Sequence, residues 1–320
     1  MFKKQLLEKI FFFLIILVLN FQISLYSEEI KAKEIWTIKG SCINVYLSPD
    51  GSYIAWSHYG HDRGPAEIYI AKVGTQKREK LGRTKELFGW LDNEYLITVE
   101  GFLSIKTKKT VSKIEGIKDR ELDIAPILTP PNYRGERYEQ VLCPFWIIQN
   151  GQIKKSLFIP SPYCFLSLLQ DRKNKKIIVF ANSGAIFKKG DVEAIFHFVV
   201  FPDGEKVFLK CFPGKNRQIV IDVKENKYYS LPAGSHFSLS PNGQKLIFTK
   251  LKDDGHFFTE GELFLCNWDG TNIRHIEFEK KRIRYNPSFG PPDMITYVFD
   301  DENHRPCIGV AKLFLQHKGK

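Results

Sequence analysis

The sequence predicts an all-β protein, a β-propeller of four-stranded antiparallel blades that follows an N-terminal signal peptide. The chain has 320 residues, 43% of them hydrophobic and 26% charged, a composition that excludes a disordered chain, a collagen and a polytopic membrane protein. Its 26 phenylalanines against 2 methionines favour strands, because aromatic rings pack well on a pleated surface. Strand–turn–strand segments recur at intervals of about 40 residues, and a hairpin follows each of them.

Residues 1–27 are predicted to be a signal peptide or an uncleaved N-terminal anchor. Three lysines precede the uncharged apolar run at 10–19, and polar residues follow it, which is the order of a secretory signal. Ten apolar residues are too few to span a bilayer comfortably. Ser27 is a plausible cleavage point, but Leu25 is larger than the residue usual at that position, so both alternatives stay open. We expect an exported protein, periplasmic or extracellular, which meets a membrane only through an uncleaved N-terminal segment.

Residues 28–320 carry the repeats. Residues 46–57 read Tyr-Leu-Ser-Pro-Asp-Gly-Ser-Tyr-Ile-Ala-Trp-Ser, and residues 238–249, Ser-Leu-Ser-Pro-Asn-Gly-Gln-Lys-Leu-Ile-Phe-Thr, align with them without a gap. A third copy occupies 200–209, and looser copies lie at 90–98, 170–180 and 291–299. Proline presets φ of the first turn position, Asp or Asn bonds back to the backbone, and Gly accepts positive φ. Each copy is therefore predicted to be a strand, a tight turn and a second strand.

A second hairpin completes each unit. The clearest case is residues 262–278, where Trp268-Asp269-Gly270 separates two strand-like runs, and Asp-Gly is a strong hairpin signal. Four short antiparallel strands every 40 or so residues are typical of a propeller blade.

These motifs resemble the TolB-like β-propeller repeat, in which Ser-Pro-Asp-Gly begins a unit and Asn-x-Asp-Gly-Thr ends it. Residues 240–243 joined to 267–271 match both halves, and residues 48–51 match the first. The resemblance covers the chain from about residue 41 onwards. It implies the fold and leaves function open, because such blades occur in envelope interaction proteins, in propellers of prolyl oligopeptidases and in some polysaccharide lyases. The N-terminal α/β domain of TolB is not expected here, because the first repeat begins close behind the predicted signal peptide.

Seven blades are favoured, because repeat units begin near residues 41, 85, 118, 161, 191, 233 and 280. The unit at 161–190 is short, so six blades remain an alternative. The last unit has too little chain for a fourth strand. The strand-like stretch near 34–40 is predicted to supply that strand and close the ring.

No catalytic residue and no cofactor are predicted. The sequence contains no Gly-x-Ser-x-Gly, no His-Glu-x-x-His and no glycine-rich phosphate or dinucleotide loop, which argues against those hydrolase, zinc-protease and nucleotide chemistries. The six cysteines lie singly among apolar residues, which favours buried thiols over disulfides.

Nine ionisable residues are candidates for a ligand or partner face, because they occupy the loop after the second strand in three units. Those loops carry His58, His61 and Asp62; Asp253, Asp254 and His256; and Asp300, Asp301 and His304. The three units become neighbours when the ring closes, so their loops converge at the channel mouth. Histidine with aspartate suits a divalent metal or acid–base chemistry, and such residues are equally common in ordinary solvated loops.

The preferred function is that of an exported, non-catalytic propeller that binds an envelope protein or polysaccharide. The alternative is a metal-dependent lyase or hydrolase that acts on an anionic sugar at the channel mouth. The net charge of +11 is spread over several units, which favours a solvated surface over a nucleic-acid partner. A monomer is expected.

Overall fold

The computed structural model describes residues 28–317 except 41, 43, 59–64, 119, 122–137, 141–144, 157–166, 172–175, 182–183, 186–193, 204, 213–216, 223, 226 and 257. Within these residues the chain forms 27 strands and no helix, which confirms the all-β prediction. The predicted signal peptide lies outside them. No helix in this part of the chain is long and apolar enough to cross a membrane.

Two sheets near the N-terminus each contain four antiparallel strands in chain order. The first consists of β2 (Val45–Leu47), β3 (Tyr53–His58), β4 (Ala66–Lys72) and β5 (Arg78–Thr84). The second consists of β6 (Leu87–Trp90), β7 (Tyr95–Thr98), β8 (Gly101–Ser104) and β9 (Thr110–Val111).

The hydroxyl and the carbonyl of the serine form the hydrogen bonds that close the repeated Ser-Pro-Asp/Asn-Gly turn. The Ser48 hydroxyl donates to Asp50 Oδ1 at 2.6 Å and accepts from the Tyr53 amide at 2.9 Å. The amide of Gly51, at φ 74°, donates to the Ser48 carbonyl. The turn that begins at Ser240 repeats all three bonds with Asn242, Gly243 and Lys245. Four residues therefore specify the hairpin locally.

The middle of the chain forms two sheets whose strands alternate in sequence. One has the order β10 (Arg120–Glu121), β12 (Phe145–Gln149), β13 (Gln152–Ser156). The other has the order β11 (Tyr138–Gln140), β14 (Ser167–Asp171), β15 (Lys176–Ala181), β16 (Gly184–Ala185). Although β11 lies between β10 and β12 in the sequence, it pairs with β14 in the second of these sheets. A regular four-strand repeat follows: β17 (Ala194–Val200), β18 (Lys206–Phe212), β19 (Arg217–Asp222) and β20 (Lys227–Ser230).

The last sheet has eight strands because the N-terminal strand joins two four-stranded units. Its order is β21 (Ser235–Leu239), β22 (Lys245–Asp253), β23 (Phe258–Asn267), β24 (Arg274–Phe278), β1 (Glu28–Lys39), β27 (Pro306–His317), β26 (Met294–Asp300), β25 (Arg284–Phe289). Strand β1 pairs with β27 antiparallel along its whole length and with β24 parallel over Ile30–Ala32. It begins at Glu28, earlier than the stretch near 34–40 in which the sequence predicts a strand.

Where both neighbouring units are described, they pack face to face with an apolar cluster between them. In the described part of the chain, clusters join the first sheet to the second, the second to β12 and β13, and the β17–β20 sheet to β21–β24. A further cluster lies between the two halves of the eight-stranded sheet. Trp36, Ile308 and Val310 of the last unit pack against Val45, Ile54 and Trp56 of the first sheet. The end of the chain therefore packs against its beginning, as a closed ring requires.

A buried polar contact fixes β1 in the last unit. Tyr297 is fully buried, and its hydroxyl donates to Glu34 Oε2 at 2.7 Å. Arg282 Nη1 donates to the same carboxylate at 3.1 Å. The Tyr297 ring reaches Glu34 across Gly309, where a Cβ would lie 2.5 Å from Tyr297 Cζ. Glycine at 309 therefore allows the tyrosine to join β26 to β1 over β27.

Candidate functional site

The predicted loops all leave one edge of their sheets. In an antiparallel unit the connection between the second and third strands lies on the same side as the link to the next unit. The Gly40 amide, in the link from β1 to β2, donates to the Pro306 carbonyl at the start of β27 at 3.2 Å. We call this side the loop face. The Ser-Pro-Asp/Asn-Gly turns lie on the opposite side, the turn face.

In the loop between β22 and β23 the two aspartates shape their own turns. Asp253 Oδ1 accepts from the Gly255 amide at 3.1 Å, and Asp254 Oδ1 accepts from the His256 amide at 2.9 Å. Gly255 has φ 91°, which favours glycine at this position. Asp253, Asp254 and His256 are all exposed. Their local hydrogen bonds define an ordered polar loop.

In the loop between β26 and β27, Asp301 has the same structural role. Its carboxylate accepts from the amides of Asn303 and Arg305 at 2.9 and 3.0 Å, and from Arg305 Nε at 3.1 Å. The Arg305 backbone hydrogen bond is the main cause that lowers the pKa of Asp301. His304 is exposed and has φ 55°.

Asp300 belongs to a different arrangement, which joins the two loops. It accepts a hydrogen bond from the Tyr285 hydroxyl at 3.0 Å. Phe258, which opens β23, is 37% exposed, and its ring centroid lies 5.3 Å from that of Tyr285. Burial is the main cause that raises the pKa of Tyr285, and Asp300 adds to it, so the hydroxyl stays a neutral donor. We call Phe258, Tyr285 and Asp300 the Tyr285 cluster.

Two thiols near the loop face are neutral. Cys42, in the link from β1 to β2, is a free thiol whose pKa burial raises to about 12. Cys307, buried at the start of β27, is also a free thiol, and burial raises its pKa. Neither is a thiolate at neutral pH, so neither is an activated nucleophile.

His58 is half-buried at the end of β3, with Glu67 as its partner in register on β4. The Glu67 carboxylate accepts from Lys80 and, at 2.6 Å, from the Tyr69 hydroxyl. These two hydrogen bonds, led by that of Lys80, lower the pKa of Glu67 to about 2. A fixed anion therefore lies in the strand next to His58.

His61 and Asp62 lie outside the described residues. Among the residues with a described placement, no three His, Cys, Asp or Glu side chains are grouped to hold a metal ion. The structure brings Asp300 together with Tyr285, whereas Asp253, Asp254 and Asp301 serve their own loops. Convergence of the nine predicted residues, and a metal among them, therefore stays a prediction.

Phe258 and Tyr285 are not among the site residues that the sequence predicts. Each is an aromatic residue at or near the start of a strand that borders the loop face, which is the signal that marks them. Their contact joins residues of different units, so it is not visible in the repeat pattern.

No family model and no curated protein matches the chain. Solved structures similar to it include the β-propeller domain of the Trilobed protease from Pyrococcus furiosus, with 15% identity, 87% of this chain and 79% of that chain covered, and a TM-score of 0.41. TolB from Acinetobacter baumannii has 15% identity, coverage of 78% and 57%, and a TM-score of 0.40. Oligogalacturonate lyase from Vibrio parahaemolyticus has 11% identity, coverage of 90% and 96%, and a TM-score of 0.47. The chain thus resembles β-propellers, TolB among them.

Proposed function

We propose that this chain is an exported propeller that binds a protein or polysaccharide partner of the cell envelope on its loop face. The observation that carries the proposal is the Tyr285 cluster. It presents an exposed phenylalanine ring packed on a tyrosine whose hydroxyl holds a carboxylate in place. An aromatic ring provides a large apolar contact for a sugar face or a peptide side chain, and the carboxylate provides a directional acceptor.

The surrounding loops support binding because they are already ordered. Asp253, Asp254 and Asp301 each accept backbone amides within their own loop. Binding to a surface whose loops are already ordered costs less conformational entropy than binding that must first order them. Polar loops around an aromatic centre are also the usual anatomy of a recognition surface.

We propose seven blades for the ring. The eight-stranded sheet consists of β21–β24 and of β25–β27 with β1, which are two units of four. The other five sheets contribute one unit each, and the sheet of β10, β12 and β13 is the one with three described strands.

The alternative is a metal-dependent lyase or hydrolase acting on an anionic sugar. It depends on convergence of His58, His61, Asp62, His256 and His304 at the channel mouth. Elemental analysis of the purified protein, with His58→Ala plus His256→Ala as the comparison, tests it. A stoichiometric metal that the double variant loses would favour the enzyme over the binding protein.

The binding proposal is tested by Phe258→Ala. Immobilised wild-type protein is incubated separately with envelope proteins and with envelope polysaccharide, and the retained material is compared between variants. Tyr228→Ala is the matched control, because Tyr228 is an aromatic residue with 48% exposure on β20, outside the cluster.

Loss of one aromatic anchor costs about 2 kcal/mol of binding free energy, which raises the dissociation constant roughly 30-fold. We expect that loss for Phe258→Ala and near-wild-type retention for Tyr228→Ala. Absence of any retained partner, or equal loss in both variants, would contradict the assignment of the loop face.

A further inference from the structure

Strands β1 and β27 extend beyond β26 as a ribbon, along which β24 of the neighbouring unit pairs with β1 over Ile30–Ala32. Strand β26 begins at Met294, whose partner is Lys312, so the following residues of β27 pair with β1 and no longer with β26. The ribbon comprises residues 28–33 and 312–317, and it lies at the turn face. We call it the terminal ribbon.

One face of the terminal ribbon belongs to the protein core. Ile30 and Ala32 are buried against Ile276, and Leu313 packs against the same cluster. Because alternate residues of a strand point to opposite faces, the residues between them point away from that cluster.

The opposite face carries three lysines and one phenylalanine, and at its outer end Glu29 is the partner in register of Gln316. Lys31 is the partner in register of Phe314, and Lys33 is the partner of Lys312. Directly paired residues share a face, so these four side chains lie together. Lys33 and Lys312 are exposed, and Phe314 is 45% exposed. We call Lys31, Lys33, Lys312 and Phe314 the lysine face.

The Lys33–Lys312 pair of this face is electrostatically unfavourable for the protein alone. Like charges directly opposite on neighbouring strands repel each other, and Lys33 faces Lys312 in this way. In the described part of the chain neither of these two ammonium groups has an ion pair. Lys31 has two carboxylates, of Glu29 and Glu277, at 3.9 and 3.8 Å, distances at which exposed pairs contribute little. An anionic partner would relieve the repulsion.

The sequence indicates where such a partner lies. Glu28, the first residue of the terminal ribbon, directly follows residues 1–27, which contain the uncharged apolar run at 10–19. If that run is held in a bilayer, the ribbon is the described segment nearest to the headgroups along the chain. We propose that the lysine face lies against anionic lipid headgroups, with lysine ammonium groups at the phosphates and Phe314 at the interface.

The test is the partitioning of the full chain between buffer and vesicles. Vesicles of phosphatidylcholine alone report binding through the apolar run, whereas vesicles that also contain phosphatidylglycerol add the electrostatic part. The readout is the ratio of the two partition coefficients. Each lysine near an anionic surface contributes about 1 kcal/mol, so Lys33→Gln/Lys312→Gln should lower the ratio about 30-fold. Lys312→Gln alone should lower it about fivefold.

The control is Lys280→Gln/Lys281→Gln, which removes the same charge from two exposed lysines in the link from β24 to β25, on the loop face. It should keep the ratio near that of the wild type. The thermal midpoint reports folding, and removal of the Lys33–Lys312 repulsion should leave it unchanged or raise it. An unchanged ratio in the folded ribbon variants, or an equal fall in the control, would overturn the proposal. A wild-type chain without preference for phosphatidylglycerol would also overturn it. An acidic protein would then be the expected partner of the lysine face.

Discussion

Gly309→Ala tests how the ring is joined at its ends. An alanine Cβ at 309 would lie 2.5 Å from Tyr297 Cζ and 2.8 Å from its hydroxyl oxygen. Tyr297 is fully buried, so the ring has no free space into which to rotate. Overpacking of this kind costs about 1–3 kcal/mol. Displacement of the hydroxyl also weakens its bond to the Glu34 carboxylate, and a hydrogen bond to a charged group contributes about 1.5–3 kcal/mol.

We therefore expect Gly309→Ala to lower the free energy of unfolding by about 3 kcal/mol. This corresponds to a thermal midpoint about 5 °C lower. Urea titration followed by circular dichroism measures the free energy, and a thermal scan measures the midpoint. The matched control is Gly82→Ala on β5, because the nearest heavy atom to a Cβ there is Leu103 Cδ2 at 4.0 Å. Since alanine is favoured over glycine in a strand by about 0.5–1 kcal/mol, the control should be neutral or stabilising.

A double-mutant cycle identifies the cause. In a Tyr297→Ala background the obstructing ring is absent, so Gly309→Ala should cost nothing there. If Gly309→Ala costs as much in that background as in the wild type, the contact with Tyr297 is not the reason for the glycine, and the reasoning fails.

Two further predictions concern carboxylates. Glu34→Ala should lower the free energy of unfolding by about 1–3 kcal/mol at unchanged urea m-value, because it leaves the buried Tyr297 hydroxyl without its acceptor. The control is Glu94→Ala, which removes the ion pair of Glu94 with the exposed Lys106; an equal loss in both variants would contradict the prediction. Glu67 has its pKa lowered from 4.5 to about 2 by Lys80 and Tyr69. A depressed carboxyl pKa stabilises the fold fully above the unfolded value and loses that contribution as pH falls towards the folded value. The difference in unfolding free energy between wild type and Glu67→Gln should therefore be constant above pH 4.5 and shrink between pH 4.5 and about pH 2; a difference that does not change over that range would refute the assignment.

Local interactions explain which parts of the fold the sequence predicts. The turns beginning at Ser48 and Ser240 are specified by hydrogen bonds within five residues, so the motif alone indicates them. The transfer of β11 to the sheet of β14 depends on pairing between distant segments, which no local pattern encodes. The extent of β1 is a similar case, because residues 29–33 alternate charged and apolar side chains whose pairing partners lie at the other end of the chain.

The candidate site divides in the same way. Asp253 and Asp254 each accept a hydrogen bond from the amide two residues further along the chain. This short spacing makes their turns predictable. The contact of Phe258 with Tyr285 and the bond from Tyr285 to Asp300 join different strands of neighbouring units. They emerge only when the two units are packed together, and for this reason the ionisable residues were visible in the sequence and the aromatic centre was not.

The two proposals place different chemistry on opposite sides of the molecule. The Tyr285 cluster lies on the loop face, where links between units and loops after second strands meet. The lysine face lies at the turn face, where β1 begins and β27 ends. A ring that rests on anionic lipid at its turn face presents its loop face away from the membrane. In this orientation an envelope partner reaches the Tyr285 cluster without obstruction by the membrane. Both surfaces can be occupied together, because the length of the strands separates them.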